Sequence, residues 1–142
     1  MQATPTFADP DEVLALLRAT TVFRDVPDED LAALADGFVH RRFPAGDVAV
    51  REGERGHEIY LITGGAFDVF ASEVDGRHRL DTLRTGAIFG EIAALTGGRR
   101  YATVQAAVDS TVLVNEETNF HQVLRASRPL SEAILRSLDR YA

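Results

Sequence analysis

Apolar positions recur at two periods along this chain, and the switch between them divides it into three parts. Near the N-terminus Val13, Leu14, Leu16 and Leu17 form one helical stripe. The segment Asp9-Pro10-Asp11-Glu12 reads as the start of that helix. Asp9 can cap it, Pro10 suits its first turn, and the two acids favour the positive end of the helix dipole. A second helix is predicted after "VPDED", with Leu31, Leu34 and Phe38 close to helical spacing and Gly37 weakening its last turn. These N-terminal helices occupy residues 9–38.

From Val39 to residue 114 the pattern is one of short β segments separated by turn residues. "VHRRF" ends at Pro44-Ala45-Gly46, and "DVAVR" ends at "EGERG". "EIYLIT" is a continuous apolar run, as expected of a strand covered on both faces. Gly64-Gly65 marks a turn, and "AFDVFAS" and "RHRLDTL" flank Asp75-Gly76, a favoured hairpin pair. "ATVQAAV" and "STVLVN" are strands again. Strands this short and this closely spaced predict a sandwich or barrel. Residues 116–142 return to helical spacing: "EETNFHQVLRAS" reads as one helix, and Leu130, Ile134, Leu138 and Tyr141 mark one face of another after Pro129. With no internal repeat, low-complexity segment or linker, residues 1–142 are expected to form one domain.

Composition narrows the function classes. The chain has no cysteine, which excludes a disulfide framework, a thiol nucleophile and a cysteine zinc site. His40, His57, His78 and His121 are scattered, with no His-x-His pair, so no metal is expected. No serine lies in a nucleophile-elbow context, so no catalytic residue is assigned and the chain is not expected to be an enzyme. A net charge of −7 lacks the basic footprint of a nucleic-acid binder, so none is expected for this chain. All 15 basic residues are arginine, a usage that base composition explains. There is no basic, apolar leader at the start and no apolar run of membrane-spanning length, so a cytoplasmic location is expected.

One stretch departs from the strand texture: "FGEIAALTGGRRYATV", residues 89–104. Taken as a short helix from Phe89 to Leu95, beginning near Gly90, it leaves the N–H groups around Glu91, Ile92 and Ala93 without helical partners. Such groups suit an anion. Gly97-Gly98 would end the helix and turn the chain, bringing Arg99 or Arg100 back beside its start. Arginine can then meet a phosphate with charge-assisted hydrogen bonds. A carboxylate at Glu91 repels a bare phosphate but accepts from a hydroxyl, so the set suits a sugar phosphate. Spacing leaves a second reading open, in which Glu91 answers the helix dipole and the arginines are solvated surface groups.

The same stretch resembles the phosphate-binding cassette of the cyclic nucleotide-binding domain family: Phe-Gly-Glu, an apolar run, a Gly-containing turn, Arg, then a small-Ala-Thr-Val strand. "FPAGDVAVREGE" and "REGERGHEIYLITGGAFDV" resemble the family's early strands, with Gly53, Gly56 and Gly65 at turn positions, and "FHQVLRASRPLSEAILRSL" resembles its closing helices. The likeness covers about residues 14–141. It implies an eight-stranded β jelly-roll barrel with N-terminal helices, a short cassette helix and C-terminal helices. It implies cAMP or cGMP as ligand and no metal. By position, Glu91 would take the ribose 2′-hydroxyl, Arg100 the cyclic phosphate, the Ala93 N–H a phosphate oxygen, and Gly90 a backbone contact near the ribose. Ile92 and Leu95 would pack the cassette on the barrel, and Phe89 would be core. Leu138 and Tyr141 on the last helix, and Val74 and Leu83 on the barrel side, are the candidate base contacts.

Three positions depart from the family pattern. Arg99 stands where Pro is frequent, His57 where an acid is common, and Tyr101 where Ala, Ser or Thr is usual. Members that prefer cGMP tend to carry Thr at that last point, so Tyr101 favours cAMP. The resemblance therefore implies a non-enzymatic sensor module that signals through its C-terminal helix to an effector, with homodimer pairing through that helix. Two alternatives accompany it: a degenerate fold that serves interaction alone, its pocket filled by the Tyr101 ring, and the sensor part of a longer transcription regulator.

Overall fold

The computed structural model describes residues 7–94, 98–115 and 119–137. Two helices open it: α1, Pro10–Ala19, and α2, Asp28–Leu34, joined through a 3-10 turn at Thr21–Phe23. The Asp9 carboxylate accepts from the Asp11 N–H at 3.0 Å, so the predicted cap is in place. Helix α2 is shorter than its apolar spacing suggested. It ends at Leu34, Gly37 takes a φ of +90°, and Phe38 begins a strand. The reason is tertiary: the Phe38 carbonyl accepts from the Ala8 N–H at 3.0 Å, and Phe38 pairs with Asn115.

Eight strands follow: β1 Phe38–Phe43, β2 Val48–Val50, β3 Ile59–Gly64, β4 Ala66–Glu73, β5 Gly76–Arg84, β6 Ile88–Phe89, β7 Thr103–Ala106 and β8 Ser110–Asn115. They form two four-stranded antiparallel sheets in the orders β1-β8-β3-β6 and β2-β7-β4-β5, the strand arrangement of a jelly roll. The hairpin between β4 and β5 turns one residue earlier than expected. Glu73 pairs with Gly76, so Val74 and Asp75 form the tip. Strand β6 has two residues, too few for any period to reveal it. Helices α3, Asn119–Ala126, and α4, Arg128–Ser137, close the chain. Ser127 separates them, its Oγ accepting from the Leu130 N–H at 3.2 Å.

The first sheet separates two cores, which explains the unbroken apolar run in β3. Ile59 and Leu61 face a helical core with Leu17, Leu31, Leu34 and Ile134. Tyr60 and Ile62, pointing the other way, face the barrel core with Phe43, Phe67, Val69 and Phe89. Strand β6 divides likewise: Ile88 goes to the helices and Phe89 to the barrel. The barrel core is built round aromatic contacts, with Tyr60 stacked on Phe89 at 4.6 Å and Phe43 edge-on to Phe67 at 5.8 Å.

Candidate functional site

The cassette begins at that two-residue strand. Phe89 is buried in the barrel core, and Gly90 follows with a φ of +90°, a conformation that only glycine adopts without strain. A single 3-10 turn, Glu91–Ala94, takes the place of the expected short helix. The returning strand is set by pairing across the chain. Gly98 donates to the Ala93 carbonyl at 2.7 Å and accepts from Gly56 at 2.8 Å. The Arg100 N–H donates to Glu54 O at 2.8 Å, while its carbonyl accepts from Gly53 at 2.8 Å. The loop after β2 therefore clamps the backbone on which Arg100 sits.

The two arginines separate. Arg99 is exposed and donates to Gly53 O at 2.8 Å. Arg100 is 6% exposed. Its Nη1 donates to Gly90 O at 3.1 Å, and its Nη2 donates to Glu58 O at 3.2 Å and to Glu58 Oε2 at 2.8 Å. These bonds engage three of the five guanidinium N–H donors, which leaves donors for an incoming oxygen. Two glycines make room for the group. A Cβ on Gly56 would lie 2.6 Å from Arg100 Nη2, and one on Gly90 would lie 2.5 Å from Glu58 O and 3.1 Å from Arg100 Nη1.

Glu91 opens the 3-10 turn at 2% exposure, with its Oε2 buried. It and Arg100 line one small cavity together with Gly90, Ala93 and Tyr101, walled by Val50, Val69 and Val104 of the barrel. Of the residues singled out in sequence, the structure thus brings Gly90, Glu91, Ala93, Arg100 and Tyr101 together. The cavity measures about 20 Å³, room for about one water. Tyr101 is 41% exposed at its edge.

Two of the candidate base contacts, Val74 and Leu83, lie away from the cavity. Val74 is fully exposed at the tip of the β4–β5 hairpin and does not line the cavity, because the hairpin turns at Val74-Asp75 and carries it clear of the barrel. Leu83 is buried opposite Phe67 as part of the barrel core. The side chain of Ile92, together with Leu95, Leu138 and Tyr141, lies outside the described residues. Glu58 is the residue that sequence reasoning missed. The departure at His57 pointed to a missing acid, yet the acid stands one position on. His57 instead lies against Gly98, where a Cβ would be 3.2 Å from its ring. Among the described residues no group of His, Asp and Glu is placed to hold a metal ion.

Comparison with known proteins gives this geometry a context. The family model described as "Cyclic nucleotide-binding domain" matches residues 40–127. A cAMP-dependent protein kinase type II regulatory subunit of Drosophila melanogaster is 28% identical over 96% of this chain and 37% of its own length. A cGMP-dependent protein kinase of Plasmodium berghei is 26% identical over 80% of this chain and 13% of its own. This chain therefore spans well under half the length of these relatives. The regulatory domain of Toxoplasma gondii PKA, solved with cAMP, superposes with a TM-score of 0.81 at 19% identity, over 93% of this chain and 50% of that one, a likeness of fold.

Proposed function

This chain belongs to the cyclic nucleotide-binding domain family, and we propose that it is a non-enzymatic sensor of a cyclic nucleotide. The observation that carries the reading is the buried Arg100, wrapped by Gly56 and Gly90 and sharing a cavity with buried Glu91. A buried cation with donors to spare next to a buried carboxylate is a costly arrangement for packing alone. It suits a ligand that joins a phosphate to a hydroxyl. In this reading Arg100 meets the cyclic phosphate with the Ala93 N–H, Glu91 accepts from the ribose 2′-hydroxyl, and Gly90 lets the sugar approach the backbone. Glu58 orients the guanidinium. Tyr101 lacks the short aliphatic hydroxyl that favours guanine, so the preferred ligand is cAMP.

At about 20 Å³ the cavity is far below the several hundred that a small-molecule site requires, so the described conformation is the closed one. Binding would draw on a more open member of the ensemble, and the signal is that shift. Helix α4 packs against the 3-10 turn of the cassette, so it carries the change to an effector, whether a further domain or a separate protein, in a cytoplasmic setting. Pairing of two copies through the C-terminal helix, and no DNA contact by these residues, complete the proposal.

Calorimetric titration of nucleotide-free protein with cAMP and cGMP tests it. Arg100→Ala should lose about 2–5 kcal/mol of binding, the range for removing one partner of a buried charged hydrogen bond. Unchanged affinity in that variant would remove Arg100 from the phosphate role. The small cavity also favours a second reading, a pocket closed for good by Tyr101 in a fold kept for interaction. Saturating nucleotide should stabilise a sensor by about 2.7 kcal/mol at a hundredfold excess over Kd. Absence of any thermal shift at millimolar cAMP or cGMP in the wild type, with a shift appearing in Tyr101→Ala, would favour the second reading.

A further inference from the structure

A groove of about 880 Å³ lies apart from the cassette and shares no lining residue with the cavity at Arg100. It runs between the 3-10 turn after α1, the end of β5 with its turn into β6, and the C-terminal half of α4. Its size falls in the range of small-molecule sites, about 300–1,000 Å³. Ala19, Val22 and Ala87 give it accessible apolar walls, with buried Leu83 and Ala133 behind them.

The polar part of the lining is cationic. Arg84 and Arg136 both line the groove, both are exposed, and neither side chain makes an ion pair or hydrogen bond among the described residues. No acidic residue lines it among the described residues, in a chain with 22 acids against 15 basic residues. Arg18, Arg79 and Arg128 elsewhere each face a carboxylate. Two arginine side chains without a counter-charge among the described residues, beside one apolar trough, match an oxyanion head on an apolar body.

We propose that this groove is a second ligand site, which takes a small amphiphilic anion with its carboxylate or phosphate at Arg84 and Arg136 and its acyl or aryl body against Ala19, Val22 and Ala87. The site does not depend on whether the cassette takes a nucleotide. It does adjoin the cassette. Ala87 and Ile88 line the groove while Phe89 and Gly90, the next residues, line the cassette cavity. Ala133, Arg136 and Ser137 place the same ligand on α4.

Octanoate is a suitable probe, followed by the amide NMR spectrum of the full chain. Saturable shifts should centre on Thr21, Val22, Thr85, Ala87 and Ala133. The Arg84→Ala/Arg136→Ala variant changes only exposed side chains, so its fold should be kept, and its octanoate Kd should rise by about tenfold or more, a loss of about 1.4 kcal/mol. Octanol, with the same body and no charge, should bind comparably weakly to the wild type. The proposal is overturned if millimolar octanoate gives no saturable shifts, or if they centre on the cassette. It is equally overturned if the double variant binds octanoate, or the wild type binds octanol, as tightly as the wild type binds octanoate.

Discussion

Gly56→Ala isolates the cradle around Arg100. Gly56 does not adopt a positive φ, so alanine meets no backbone strain there. The three atoms nearest to the new Cβ all belong to Arg100: Nη2 at 2.6 Å, Nε at 2.8 Å and Cζ at 3.0 Å. Contacts that short force a shift. The guanidinium is held by Gly90 O and by both the carbonyl and the carboxylate of Glu58, so it can yield only by giving up hydrogen bonds. Overpacking of a filled site costs about 1–3 kcal/mol. A lost hydrogen bond to a charged group adds about 1.5–3 kcal/mol. The Glu58 side chain is 36% exposed, so its ion pair with Arg100 is screened and contributes about 1 kcal/mol or less. Alanine in place of glycine returns about 0.4–1 kcal/mol by restricting the unfolded chain. A net loss of about 2–5 kcal/mol is expected, which at about 2–4 °C per kcal/mol lowers Tm by roughly 4–20 °C. In an Arg100→Ala background the clash has no partner, and Gly56→Ala should then be neutral or slightly stabilising. Thermal unfolding of the four proteins in this cycle should give a coupling well above the roughly 0.3–0.5 kcal/mol scatter of independent sites. An equal fall in Tm in both backgrounds would mean that the new methyl group strikes something else, and that Arg100 is not held as described.

Two further changes probe the barrel beneath the site. Phe67→Ala removes a fully buried ring that contacts Phe43 and Phe89, and should cost about 3–5 kcal/mol in chemical denaturation; a loss under about 1 kcal/mol would refute its place at the centre of the core. Gly65→Ala combines a φ of +90° with a Cβ only 2.2 Å from Ser110 Oγ and 2.8 Å from its Cα, so it should prevent stable folding, whereas Gly46→Ala, with a φ of +92° and open space around it, should cost only about 1–2 kcal/mol of backbone strain. Similar losses at the two positions, measured by thermal unfolding, would contradict the close approach at Gly65.

Local rules were enough to place much of this molecule. The Asp9 cap, the apolar face of α1 and the punctuated strands all follow from near neighbours in sequence. Within "FGEIAALTGGRRYATV" the residue types alone suggest an anion and a hydroxyl, and the family likeness singles out Arg100 from Arg99; in the structure Arg100 is buried and Arg99 exposed. What spacing could not supply was anything set by pairing over long sequence distance. Helix α2 stops early because the Phe38 carbonyl is taken by Ala8 and its strand by Asn115, partners invisible to a helical period. Strand β6 exists only because Tyr60 and Leu61 pair with it.

The same division runs through the site. The sequence determined which chemical groups the cassette would contain, because glycine, glutamate and arginine carry their conformational freedom, charge and donors wherever they stand. Tertiary structure alone decided that Glu58, 42 positions before Arg100, would hold its guanidinium. It also decided that Gly56 would leave room for that group, and that Val74 would end on a hairpin tip rather than at the ligand. Packing sets these outcomes. A buried cation takes the nearest acceptors in space, and the jelly-roll connections bring the loop after β2 against the cassette without leaving any periodic trace in the chain.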